Sequence, residues 1–361
     1  MCHPSRRPFR SLAGAVVCAL VLVACHDSSS GPSTSQVVSP FTERKIVGDN
    51  AAAAATVTDA NLVNPWGFAF TATGIMWVSD DGAGVSTVYD TAGTKQALVV
   101  TIPSHAGATG GKPTGIVNNT TADFVIPTST AAKWIFANQD GTIAAWATGT
   151  TAHIVADRSA NGAVYKGLAL AANGAANFLY AANFGKNGVD VFDATYTFVK
   201  SFTDSTMAAG YAPFGIVAVG AQLYVTYALR VTGDSTHDQP GAGHGYVDIF
   251  NTDGTLAKKL ISTGALNSPW GVAVAPASFG AFGGDVLVGN FGDGHINAYL
   301  ASDGTFVGAV GDSTKTAISI DGLWGLAFGP AAASGNLYFS AGTGGGTHGL
   351  IGILTPKPAT P

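Results

Sequence analysis

Glutamate is nearly missing from this 361-residue chain. Glu43 is the single example, so the acidity falls on Asp, gathered in turn-like phrases such as Asp80-Asp81-Gly82 and Asp253-Gly254. Charged residues of all kinds reach only 11%. These shortages exclude long charged helix faces and favour an all-β chain. Lys and Arg total 17, form no clustered stripe and leave a net charge of −5, which excludes a basic nucleic-acid binder. Cysteine is limited to Cys2, Cys18 and Cys25, too few and too early for a disulfide framework. No Gly-x-Ser-x-Gly elbow, phosphate-binding loop or Cys-x-x-Cys pair occurs. The longest apolar run, Leu12 to Ala24, is too short to cross a bilayer comfortably.

What the chain has in excess is glycine, 48 residues, and it is periodic. Gly67, Gly115, Gly167, Gly215, Gly271 and Gly325 each close a small loop phrase, among them Asn64-Pro65-Trp66-Gly67, Ala212-Pro213-Phe214-Gly215 and Ser268-Pro269-Trp270-Gly271. A short apolar strand follows each, then a second strand such as Ile75–Val78, Trp134–Ala137, Phe178–Ala181, Leu223–Thr226, Val286–Gly289 or Leu337–Ser340. Short apolar runs bounded by Gly, Asp and Asn fit strands buried on both faces. A β-rich repeat of roughly 50 residues, six times over, predicts a six-bladed β-propeller with four strands per blade. The last repeat runs out of chain before its outer strand, at Gly349–Leu354 followed by Pro356 and Pro358. Arg44–Val47, which precedes blade one and belongs to no blade, is expected to supply that strand and close the ring. The propeller then covers residues 41–354, with a short tail at 355–361.

The first residues read as a bacterial export signal. Arg6, Arg7 and Arg10 precede the apolar run, which ends in Leu22-Val23-Ala24-Cys25. That ending resembles a lipobox, with residues 1–24 removed and lipid attached to Cys25, the one cysteine left in the mature chain. His26–Pro40 is a Ser/Gly/Pro tether without apolar periodicity. An extracytoplasmic, lipid-anchored protein is expected, at an outer membrane because His26 rather than an Asp directly follows Cys25.

Taken together, Asn61–Gly67, Asn138–Ile143, Ala181–Gly185, Ala212–Gly215, Ser268–Gly271, Leu287–Gly294 and Gly322–Phe328 resemble a bacterial family of exported six-bladed propellers, some carrying a C-terminal PEP-type sorting anchor. The likeness spans about residues 44–354 and implies no particular activity. More distantly the repeat resembles NHL-type propellers, which include lactonases, lyases and pure binding modules, so fold alone assigns no chemistry.

Residues just before the repeat glycines and just after the second strands are expected at the mouth of the central channel. The first group gives Asn64, Trp66, Lys112, Lys166, Phe214, Trp270 and Trp324. The second gives Asp80, Asn138, Asn183, Tyr227, Asn290 and Phe291. Aromatic faces with amides and lysines suit a sugar or a small polar metabolite; the same residues also suit blade-on-blade packing and turn capping. A cofactor is not expected. The alternative is a divalent cation of the gluconolactonase type, held by Asp80 with Asn138, Asn183 or Asn290. Where that family places a Glu this chain has Asn64, and Glu43 lies in the closing strand, which weakens such a site. A third place is the insertion 230–245, with Asp234, His237, Asp238 and His244. The expected function is a ligand- or partner-binding propeller in a cell envelope; the runner-up is a propeller hydrolase or lyase working at the same mouth.

Overall fold

The computed structural model describes residues 37–38, 40–330 and 333–357. The expected leader and lipid attachment at Cys25, most of the expected tether and the last residues of the tail lie outside them. The described chain is a closed ring of six blades, each built on four antiparallel strands that run from the axis outward in chain order except for the last strand of blade six. Blade one is Pro65–Phe70, Met76–Asp80, Val85–Tyr89 and Lys95–Thr101. The inner strands of the other blades are Pro113–Asn118, Tyr165–Asn173, Tyr211–Val219, Pro269–Val274 and Leu323–Phe328.

Closure follows the sequence expectation, with a longer strand. Phe41–Gly48 pairs antiparallel with Leu350–Pro356 as the fourth strand of blade six. A parallel two-residue strand, Val57–Thr58, lies outside it, and Val37–Val38 pairs with the outer strand of blade five.

Strand alternation builds the core. On the second strand of blade one, Met76 and Val78 face blade six, while Trp77 faces blade two. On that of blade four, Leu223 and Val225 pack toward blade three and Tyr224 toward blade five. Each joint between neighbouring blades therefore owns a hydrophobic cluster, and every strand serves two joints through its period of two.

One buried group works against the fold. Asp248 in blade four is 1% exposed, and one of its carboxylate oxygens has no hydrogen-bond partner among the described residues. Burial first, then the neighbouring Asp204 charge, push its pKa up to about 7, against a smaller pull from Lys259, which pairs with Asp204 at 2.7 Å. A carboxyl whose folded pKa exceeds its unfolded value binds its proton more readily when folded. Its contribution therefore lowers stability as pH rises from about 4 to about 7, and the full penalty, on the order of a few kcal/mol, persists above that. Asp248→Asn is expected to melt higher than wild type at about pH 8 and alike at about pH 4. Melting curves at the two pH values check this, and a variant that melts lower at pH 8 overturns it.

Candidate functional site

The six repeat glycines form the waist of the ring. None has a positive φ; what they share is a close approach to the next blade. A Cβ at Gly67 would lie 2.6 Å from the Thr114 carbonyl, at Gly115 2.2 Å from the Leu168 nitrogen, at Gly215 2.1 Å from the Trp270 carbonyl, and at Gly271 2.5 Å from the Trp324 carbonyl. Gly325 closes the circle at 2.9 Å from the Trp66 carbonyl. Each inner strand also shifts register at its glycine, a bulge that swings the preceding residue toward the axis.

Those preceding residues are Trp66, Thr114, Lys166, Phe214, Trp270 and Trp324. Trp66 and Trp324 stack at 3.6 Å between ring centroids and 18° between planes, and Phe291 stacks on Trp324 at 4.1 Å. Trp270 meets Trp66 and Trp324 edge-on, and Phe214 and Phe184 complete a plug across the axis. The indole N–H of Trp270 donates to the Lys166 carbonyl at 2.8 Å, tying blade five to blade three. On one side of the plug lies the central channel, a cavity of about 420 Å³ walled by the inner strands and by Trp270. On the other side lies a mouth pocket of about 430 Å³ whose floor is Trp66, Trp324 and Phe291.

A chain of hydrogen bonds runs round the mouth. Trp324 Nε1 donates to Asn64 Oδ1 at 3.3 Å, and Asn64 Nδ2 donates to Asp81 Oδ1 at 3.1 Å. Gln139 Nε2 donates to Asp81 Oδ2 at 2.6 Å, and Lys166 Nζ donates to Gln139 Oε1 at 2.6 Å. Blades six, one, two and three are thus joined at this end. Lys166 is 4% exposed and its ammonium lies 4.9 Å from the centre of the Trp66 ring. Burial pulls its pKa down to about 8, opposed by the charges of Asp81, Asp238 and Asp234. Burial also raises the carboxyls of Asp81 and Asp238, against smaller opposing hydrogen bonds and charges.

The loop 230–245 supplies one wall of the mouth through Thr236, His237, Asp238 and Pro240. It is pinned by Asp234, which accepts from the Thr236 and His237 backbones and from His237 Nδ1 at 2.7 Å. Hydrogen bonds from Thr236 hold the Asp234 carboxyl well below its ordinary range. The opposite wall is the glycine turn at Gly342, Gly345 and Gly346, fastened by the Gly344 amide donating to Asp321.

Of the residues singled out from sequence, the structure gathers Asn64, Trp66, Lys166, Phe291 and Trp324 into this pocket. Phe214 sits behind them in the plug, and Trp270 faces the channel instead. The others lie elsewhere. Asp80 is buried inside blade one, accepting from Thr87 N and Oγ1. Asn138 donates to Thr142, Asn183 holds the Val164 and Lys186 amides, and Asn290 donates to the Ala265 carbonyl. Tyr227 is buried in the joint between blades three and four, and Lys112 stands exposed two positions before Thr114. The side chains of the alternative cation set bond inside their own blades, with Oδ1 of Asp80, Asn138 and Asn290 buried without a partner, and Glu43 lies exposed on the closing strand. Among the described residues no three His, Cys, Asp or Glu side chains group as metal ligands.

Asp81 and Gln139 escaped the sequence reading by one position. Asp80 and Asn138 are the last residues of their strands and turn into the blade; the next residue, in the opposite phase, turns to the mouth. Strand phase was the available signal.

No protein-family model matches the chain. It is 32% identical over 341 residues to the uncharacterised protein R648 of Acanthamoeba polyphaga mimivirus, covering 88% of this chain and 83% of that protein. It is 33% identical over 341 residues to protein L690 of the same virus, covering 88% of each. These viral relatives overturn the expected membership of a bacterial family. Among solved structures, virginiamycin B lyase from Staphylococcus aureus matches with a TM-score of 0.51 at 14% identity, over 88% of this chain and all of that one. A luciferin-regenerating enzyme matches with a TM-score of 0.54 at 10% identity, over 87% of this chain and 95% of that one. At such identities the likeness shows the propeller fold alone.

Proposed function

We propose, for a chain that belongs to the same family as the mimivirus proteins R648 and L690, that the propeller is a binding module which takes a small polar, ring-shaped ligand at its mouth pocket. One observation carries this reading: a floor of stacked aromatic rings ringed by polar side chains from different blades. Phe291, backed by the stacked Trp324, offers an apolar face, while Asn64, Gln139, Lys166 and Thr236 offer donors and acceptors around it. A sugar has this dual character, with C–H faces for stacking and hydroxyls for hydrogen bonds.

The test is a thermal-shift screen of the intact chain against mono- and disaccharides and small polar metabolites, followed by calorimetry on the strongest hit with and without EDTA. Phe291→Ala is expected to weaken binding about five- to tenfold, the equivalent of one stacking contact of about 1 kcal/mol. Trp324→Ala is expected to weaken it further and to lower the melting temperature, because Trp324 also belongs to the plug. Affinity that survives both substitutions places the site elsewhere, and binding abolished by EDTA turns the reading toward a metal-dependent one.

A second reading, a lyase or hydrolase acting at the same mouth, has one observation in its favour. A buried lysine with a lowered pKa beside a buried carboxyl is a fitting acid–base pair. The two solved propellers named above include a lyase, at an identity that supports fold only. Consumption of the bound ligand, rather than equilibrium binding, distinguishes the two.

A further inference from the structure

We infer that the ring-shaped ligand of the mouth carries a carboxylate, as uronic acids do, and that this carboxylate docks on Lys166; the inference rests on the mouth being the binding site. The motive is an ammonium group without a counter-ion in contact. Lys166 is 4% exposed and borders the pocket, yet its one hydrogen-bond partner is the neutral amide oxygen of Gln139. Among the described residues no carboxylate stands within ion-pairing distance of it, although Lys95 and Lys259 each have one. An ammonium has three protons to donate, so two remain for a ligand. A buried cation without a counter-ion is costly, and supplying an anion in contact recovers much of that cost.

Of the acids around the mouth, Asp321 accepts from the Gly344 amide, and two more are committed to hydrogen bonds. Asp81 spends both carboxylate oxygens on Gln139 and Asn64, so it reaches the ammonium only through the Gln139 amide. Asp234 is held by Thr236 and His237 in the loop. Burial raises the Asp238 carboxyl against the opposing charge of Lys166, and its Oδ2 has no hydrogen-bond partner among the described residues. Lys166 itself, with a pKa near 8, is mostly charged at neutral pH. The floor beside it is aromatic and the facing wall is glycine, which leaves room for a six-membered ring whose acid group points to blade three. Hydroxyls on that ring would meet Asn64 and Thr236 at the rim.

Calorimetry on the full chain with glucuronate, galacturonate, glucose and galactose tests this, at about pH 6.5 and about pH 9.5. Each uronate is expected to bind about tenfold tighter than its neutral parent at the lower pH, with the preference shrinking as Lys166 loses its proton. Lys166→Met should weaken both kinds of sugar but the uronates about tenfold more, erasing the preference, and its melting curve reports whether the plug survives. Phe291→Ala should weaken acid and neutral sugar alike. Equal affinity for a uronate and its parent overturns the carboxylate assignment while leaving the ring-binding reading intact. A preference that persists in Lys166→Met also overturns it. If none of the four sugars binds, the binding reading falls and the inference with it.

Discussion

Gly115→Ala is expected to destabilise the propeller by about 3 kcal/mol or more, lowering the melting temperature by about 10 °C. The added Cβ would lie 2.2 Å from the Leu168 nitrogen and 2.6 Å from the Gly167 carbonyl carbon, both backbone atoms of the next blade's inner strand. No side chain can rotate away, so blade two must retreat from blade three. Because the ring is closed, that displacement has to be absorbed at other joints. The cost does not arise from dihedral strain, because Gly115 is not among the residues with positive φ. Gly107→Ala is the control: it has open space around it and an ordinary φ, so its effect should stay within about 0.5 kcal/mol. Equal melting temperatures for the two variants would remove the close-approach explanation of the repeat glycines.

Deleting Phe41–Val47 is expected to abolish cooperative folding of the whole ring. The segment donates the outer ladder of blade six, pairing from Phe41 opposite Pro356 to Val47 opposite Ile351. It also closes two joints. Phe41 packs on Phe279 and Phe282 of blade five at 5.1 and 5.6 Å, while Ile46 and Val47 are fully buried against blade one. Its removal exposes an unpaired strand edge and two hydrophobic faces together, so aggregation should accompany the loss of the transition. Size-exclusion chromatography with thermal melts decides this. A truncated chain that stays monomeric and melts with wild type would show that blade six holds without its fourth strand.

Much of the architecture was legible because its causes are local. Alternating apolar strands, Asp- and Gly-rich turns and a Gly-closed phrase all lie within one repeat, so the number of blades and the closing strand follow from the pattern. The glycines were read correctly as markers, yet their physical reason is long-range. They are short because the next blade's backbone passes within a few ångströms, and that spacing exists only in the assembled ring. Asn64, Trp66, Lys166 and Trp324 were legible as mouth residues because they share the phrase before the glycine.

The sequence by itself determined a six-bladed ring, its closure by a strand from before blade one, and an axis approached by Trp66, Lys166, Phe214, Trp270 and Trp324; in blade two the structure puts Thr114 where Lys112 was expected. The tertiary structure alone decided how those equivalent positions divide. Three indoles and their phenyl neighbours cannot share one axis in the same orientation, so Trp66 and Trp324 stack toward the mouth while Trp270 lies edge-on and faces the channel. It also decided that the loop 230–245 comes to the mouth, that Asp81 and Gln139 rather than Asp80 and Asn138 meet there, and that Lys166 is left without a contacting carboxylate. Strand period and turn chemistry are set within a few residues. Which side chains converge on an axis depends on six strands meeting from six parts of the chain, and no single repeat contains that information.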